Sequence, residues 1–197
     1  MSKGYAAAIV FGIALVGGSC ATRPYVEDGP SGGTTYTRMP DGKLWMVVNA
    51  AIPVADSYCY ADSESHCRLY GRLYTFESAQ QACLAFRDGS RLPTDDEWRE
   101  LARQFGGIFD DAQDRGSAAY HALLRGGSSG FEALLSGGRD LDGRYDDLDA
   151  HGFYWTASAG TAGTALFYNF GKGSTALYRQ LDGEPERAFA VRCVRDG

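Results

Sequence analysis

The sequence predicts an α+β fold, on three observations. Two stretches show amphipathic helical spacing behind clear N-terminal caps. The segments around them alternate apolar and polar residues between turn signals, as short strands do. The composition, with 26 glycines and 12 tyrosines in 197 residues, suits a turn-rich fold of many short strands. The length suits one domain with a modest appendage.

That appendage is N-terminal. Lys3 precedes an apolar run from Tyr5 to Val16, and "GGSCATRP" follows. The run is short for a membrane span, and a charged start, apolar core and small residues make a secretory signal. Cys20 lies where a bacterial lipoprotein carries its lipidated cysteine, although Gly17 stands where the lipobox usually has Leu. The alternative is a soluble exported protein cleaved near Ala21. Residues 1–20 are thus read as a signal peptide, and 21–35, rich in Pro, Gly and Ser, as a flexible tether. The folded domain is placed at 36–197.

Within it, "TYTRMPDGKLWMVVNA" suggests a hairpin about Pro40-Asp41-Gly42. Cys59 and Cys67 flank a polar loop. Thr75 caps a first helix, on which Phe76, Ala79, Cys83 and Phe86 share a face. Pro93 then arrests the chain. Thr94 and Glu97 form a capping box for a second helix, with Trp98, Leu101, Ala102 and Phe105 on one side and Gly106-Gly107 as the stop. "SAAYHALLRGG" reads as a short helix. The stretch 131–158 reads as strand, turn at Asp142-Gly143, and a strand about Tyr154–Ala157. "ALFYNF", "GKGS" and "TALYRQ" make a further hairpin. In "RAFAVRCVRD", Phe189, Val191 and Cys193 alternate onto one side of a last strand.

With Cys20 set aside, four cysteines remain and three pairings are open. In an exported protein an even set favours bridges. The short Cys59–Cys67 loop makes a local bridge natural. Cys83 and Cys193 both face inward, one from helix and one from strand, which favours them as the long-range pair. Zinc is not expected, because the cysteine spacings are wide and His66, His121 and His151 stand apart.

In order, "DGKLWMVVN", "YGRLYTFESAQQAC", "RLPTDDEW", "FEALLSGGRDLDGRYDDL", "GFYWTAS" and "FAVRCVRD" closely resemble the Fibrobacter succinogenes major paralogous domain over residues 36–196. The chain departs from that family's usual Cys-Pro and Gly-Trp before "RLPT", with Leu84 and Ser90 in those places, so the loop between the two helices is expected to pack in its own way. The resemblance implies a secreted or lipid-anchored bacterial protein. It also implies a C-type-lectin-like fold, close to the formylglycine-generating enzymes. That means two helices on a small, twisted, mainly antiparallel sheet, first and last strands paired, and a long irregular Gly-rich segment between. The Cys83–Cys193 pairing matches the long bridge of that fold.

Enzyme chemistry finds no support. The paired reactive cysteines of formylglycine-generating enzymes would lie in the C-terminal half, where Cys193 stands alone. Gly126-Gly127-Ser128-Ser129-Gly130 spells Gly-x-Ser-x-Gly, but nothing in the sequence orders a Ser/His/Asp set, and no Gly-Lys-Ser/Thr marks a phosphate loop. Asp140 to Asp149 offers hard oxygen donors, yet Gly143 follows Asp142 at once and no Glu closes an EF-hand loop. A hairpin with a solvated acidic face is the plainer reading, and calcium there is the alternative. Glu184-Pro185 begins like the tripeptide of calcium-dependent lectins, but Glu186 replaces the amide. The net charge of −6 argues against nucleic acid. Trp98 and Trp155 read as core.

What remains is a surface. The hairpin offers Tyr168, Asn169, Lys172, Tyr178, Arg179 and Gln180, residue types suited to adaptable recognition, though alternation lets only some face outward. The expectation is a non-catalytic, exported binding or adhesion module, held to the outer membrane only by its lipid. It would present this C-terminal face to a glycan or protein at the cell surface, without a cofactor. A hypervariable display protein of a diversity-generating retroelement, or a structural subunit of a surface layer or filament, are the alternatives.

Overall fold

A computed structural model describes Met1 and residues 26–28 and 35–197. The readings of residues 2–25, including the signal peptide and Cys20, lie outside the described residues. No helix among the described residues is long and apolar enough to cross a membrane.

The architecture is mixed α+β. The N-terminal strands β1 (Val26–Asp28), β2 (Thr35–Arg38) and β3 (Leu44–Met46) form an antiparallel meander. The turn between β2 and β3 is the expected Pro-Asp-Gly turn, with Gly42 at φ 84 donating to the Met39 carbonyl. Pairing therefore begins ten residues before Tyr36, inside the segment read as tether. The Pro and Gly that flank Val26–Asp28 hide three extended residues whose partner strand alone reveals them.

Next come β4 (Ser57–Tyr58), a 3-10 turn (Tyr60–Asp62), α1 (Glu64–Tyr70) and β5 (Leu73–Tyr74), which pairs with β4. The span between Cys59 and Cys67 is thus helical rather than a polar loop. Only Cys67 of α1 is buried, so the helix has no apolar stripe to announce it. Helices α2 (Phe76–Leu84) and α3 (Asp95–Gln104) stand where their caps place them. Thr75 accepts from the Ser78 amide, and the Thr94–Glu97 capping box is complete. Helix α4 (Ser117–Leu123) follows. The described residues hold four α-helices; α2, α3 and α4 stand where helices were read, and α1 is the one not expected.

The remaining strands are β6 (Ser136–Arg139), β7 (Tyr145–Leu148), β8 (His151–Ala159), β9 (Ala165–Gly171), β10 (Ala176–Gly183) and β11 (Val194–Arg195). A five-stranded sheet runs β10-β9-β8-β6-β7, antiparallel except at the β6–β8 contact. The last strand, β11, closes the N-terminal sheet, but against β3 rather than the first strand.

Both faces of the β8–β9 region are covered. Alternation along β8 sends Phe153 and Trp155 toward α2 and Tyr154 toward α3 and α4, giving two apolar cores. One gathers Trp45, Trp98, Phe131 and Tyr168. The other gathers Tyr36, Cys83, Trp155, Phe189 and Cys193. The segment 188–194 threads between them: Phe189, Val191 and Cys193 enter one, Ala190 and Val194 the other. It is mostly irregular rather than the long strand its alternation suggests. It is held by isolated bridges to Tyr74, Arg139 and Tyr154.

Both bridges form as expected, Cys59–Cys67 and Cys83–Cys193. Helix α2 is thereby joined to the closing segment inside the second core. The departure before "RLPT" has a definite geometry. Ser90 is buried and shares a 2.6 Å hydrogen bond with the Tyr36 hydroxyl, while Leu84 is turned outward.

Candidate functional site

The C-terminal hairpin is more structural than its sequence suggests. Tyr168 is fully buried, stacked on Trp98 at 5.1 Å, and its hydroxyl donates to the Asp95 carbonyl and carboxylate. Its selection as a ligand residue is therefore corrected: β9 is a central strand with both faces covered. Arg179 is committed to the same carboxylate, with Nε and Nη2 each 2.7 Å from Asp95. That bidentate pair ties the edge strand to the first turn of α3, where a carboxylate also favours the helix dipole. Asn169 bonds to His151 Nδ1 at 2.9 Å. Tyr178 stacks on Phe109 at 4.6 Å, and Arg115 covers that phenyl ring at 4.2 Å. Tyr178 and Gln180 are half-buried; of these hairpin residues only Lys172, at the turn, is exposed.

The acidic stretch folds as the hairpin reading expects. Gly143 donates to the Asp140 carbonyl across the turn. Asp140 and Asp142 are held by Arg187 and Arg144 at 2.5 and 2.7 Å. Asp146 and Asp147 lie outward on β7. Among the described residues, the one set of three metal-ligating side chains with atoms within 4.8 Å of one another is Cys59, Glu64 and Cys67, and its sulfurs are bridged. Glu184-Pro185 is a structural corner: the Pro185 carbonyl accepts from the first amide of α2. Trp155 is core, donating from Nε1 to the Tyr74 carbonyl. His66 and His151 are bonded to a carbonyl and an amide rather than to a serine or a carboxylate.

Two features look outward. One, a cavity of about 410 Å³, lies between α3 and residues 106–111, where Arg99–Asp111 and Arg103–Glu100 pair off four of its five charges and leave Asp96. The second is a groove of two adjoining cavities, about 350 and 360 Å³, which share Tyr70, Arg125 and Leu134. One lobe adds Arg68, Leu69 and Val48; the other adds Leu124, Leu135 and Lys172. Val48 and Leu69 are 45% and 63% exposed, apolar side chains left at the surface. Arg68, Arg125 and Lys172 are exposed, and none is in an ion pair among the described residues.

The groove is built on rigid parts. Glycine at 71 lets the end of α1 meet the 47–51 loop, because at φ 78 a Cβ there would stand 2.6 Å from that of Asn49. Asn49 is buried beneath, donating to the Tyr70 carbonyl at 2.8 Å and accepting from Arg192 at 2.6 Å. Arg192 is wholly buried without a carboxylate. Its guanidinium reaches the carbonyls of Met46, Phe131 and Glu132 and lies 4.9 Å over the Phe131 ring. Burial draws its affinity for the proton down, and the nearby Arg125 charge adds to this. Opposite, the Cys59–Cys67 bridge pins α1, and Cys67 lines the groove. Arg72 braces that bridge, with Nη1 at 3.4 and 3.5 Å from the two sulfurs and Nε and Nη2 bound to Ser57.

Of the groove residues, sequence reasoning picked only Lys172 as a recognition residue, while Cys67 was read as a bridge cysteine and Asp149 as part of the acidic hairpin. Their positions, 47–51, 67–71, 124–135 and 172, are scattered, and no local pattern joins them. The one accessible signal was Ser63-Glu64 ahead of Gly71, a helix start and stop without an apolar stripe between.

A family model described as the Fibrobacter succinogenes major domain matches residues 27–195. No curated protein and no solved structure matches. The matched span begins within β1, in keeping with a domain that starts before Tyr36.

Proposed function

We propose that this chain, which belongs to the Fibrobacter succinogenes major domain family, is a non-catalytic, exported binding module whose ligand occupies the groove between α1 and residues 124–135. The carrying observation is three exposed cations with no ion-pair partner among the described residues, set beside exposed Val48 and Leu69, in a chain of net charge −6. Unpaired charge beside uncovered apolar surface is what a polar-rimmed recognition site requires.

The fold reading is C-type-lectin-like. It is supported by α2 and α3 flanking the β8–β9 sheet, by termini that meet in one sheet, and by the long bridge from helix to closing segment. Anchoring through a lipid on Cys20 would hold the module at the outer membrane. Mass spectrometry of the mature N-terminus tests that directly: an acylated Cys20 supports it, and an unmodified Ala21 start removes it.

The groove itself is tested by screening the full chain against cell-surface glycans and envelope proteins, with Arg125→Gln and Tyr178→Ala in parallel. Loss of a ligand with Arg125→Gln and its retention with Tyr178→Ala supports this reading. The reverse would return the site to the hairpin.

A further inference from the structure

We infer that the groove takes an extended acidic peptide, a segment in which carboxylates alternate with aliphatic side chains, presented by a protein partner. This rests on the reading of the groove as the binding site and names the class of its occupant.

Charge complementarity carries the argument. Arg125 is common to both lobes, Arg68 belongs to one and Lys172 to the other, so a ligand lying along the groove meets cations in each lobe and at their join. Beneath the floor residue Asn49, Arg192 hydrogen-bonds only to neutral acceptors. The one carboxylate in the lining, Asp149, accepts from the Tyr70 hydroxyl at 3.2 Å.

The walls between the cations choose the ligand class. Val48 and Leu69 line one lobe, Leu124 and Leu135 the other, and Leu134 both. Aliphatic walls suit aliphatic side chains. A polysaccharide would need aromatic faces for its rings, and Tyr70 is the sole aromatic residue lining either lobe. In an extended peptide successive side chains point to opposite sides, so acidic and aliphatic groups can address rim and wall in turn.

The test is titration calorimetry on the full chain with a short synthetic peptide of glutamates separated by leucines. Its counterpart with glutamine for glutamate and an oligogalacturonate are run alongside. Binding of the glutamate peptide is expected to be about tenfold tighter than that of the glutamine one, and to weaken about tenfold with Arg125→Gln. Arg68→Gln and Lys172→Gln are expected to cost less, about threefold each, since each touches one lobe. Arg115→Gln, a cation outside the groove, should change nothing. Raising salt from roughly 0.05 to roughly 0.5 M should weaken binding several-fold. Equal binding of both peptides, or glutamate-peptide binding indifferent to Arg125→Gln, overturns the inference. Arg125-dependent binding of the oligogalacturonate alone overturns the peptide class while leaving the groove as the site. No binding by any of the three probes overturns the inference, and the wider screen then decides the groove reading separately.

Discussion

The two disulfides differ in nearly every physical respect. Cys83–Cys193 closes 110 residues inside a core, with both sulfurs fully buried. Cys59–Cys67 closes 8 residues at the edge of the groove, beside a guanidinium. The first fixes which parts of the chain form the body. The second fixes the pose of one short helix that the body would otherwise hold weakly, since α1 buries only Cys67. A cross-link's contribution to stability and its contribution to the shape of a surface groove therefore need not go together.

The sharpest way to break the comparison is to remove each bridge in turn. Replacing Cys83 and Cys193 together with Ala should cost about 4.8 kcal/mol by loop entropy, read as a fall in the midpoint of denaturant unfolding without reductant. Arg192→Leu follows, at about 3 kcal/mol or more, because it strands acceptors at Asn49, Met46, Phe131 and Glu132. Arg192→Lys should recover less than half, since an ammonium lacks the planar fork that reaches several carbonyls at once. Replacing Cys59 and Cys67 together should cost only about 2.5 kcal/mol. That variant should nonetheless lose more groove affinity than the more destabilising core variant, measured under conditions where both are folded. If both lose affinity equally, the division of labour is wrong.

A smaller effect concerns acid. Burial pushes the Glu97 carboxyl up, but Arg91, the Thr94 amide and Lys43 more than reverse this and bring its pKa to about 2. The group binds its proton less tightly folded than unfolded. Its stabilisation is therefore complete above the ordinary glutamate value of about 4.3 and is lost as pH falls toward 2. Allowing for solvent screening, about 1–2 kcal/mol is at stake. Glu97→Gln should lower stability by that amount at neutral pH and flatten its dependence between pH 4.3 and 2. Smallest is Tyr178→Ala, which removes the stack on Phe109 and should cost about 1 kcal/mol with no effect on groove binding.

The scaffold was largely legible because its signals are local. Thr75, Thr94-Glu97 and Pro40-Asp41-Gly42 each act within four residues, and their elements stand where expected. The inward cysteines were legible because alternation and helical spacing both report a buried face. Tyr168 was misread because β9 is covered on both sides, so alternation there separates two cores rather than core from solvent. The same holds for Arg192, which alternation places opposite Cys193 and so outward, whereas the segment has no outward side. The groove was not legible because its walls come from chain segments more than a hundred residues apart.

The threaded segment 188–194 carries one more implication, for the order in which the molecule can be made. It supplies side chains to both cores and joins β3 through β11, yet it is synthesised after everything it touches. A polypeptide emerging N-terminus first leaves both interiors unsealed until those residues appear. The body can lock only once residue 193 is available to join residue 83.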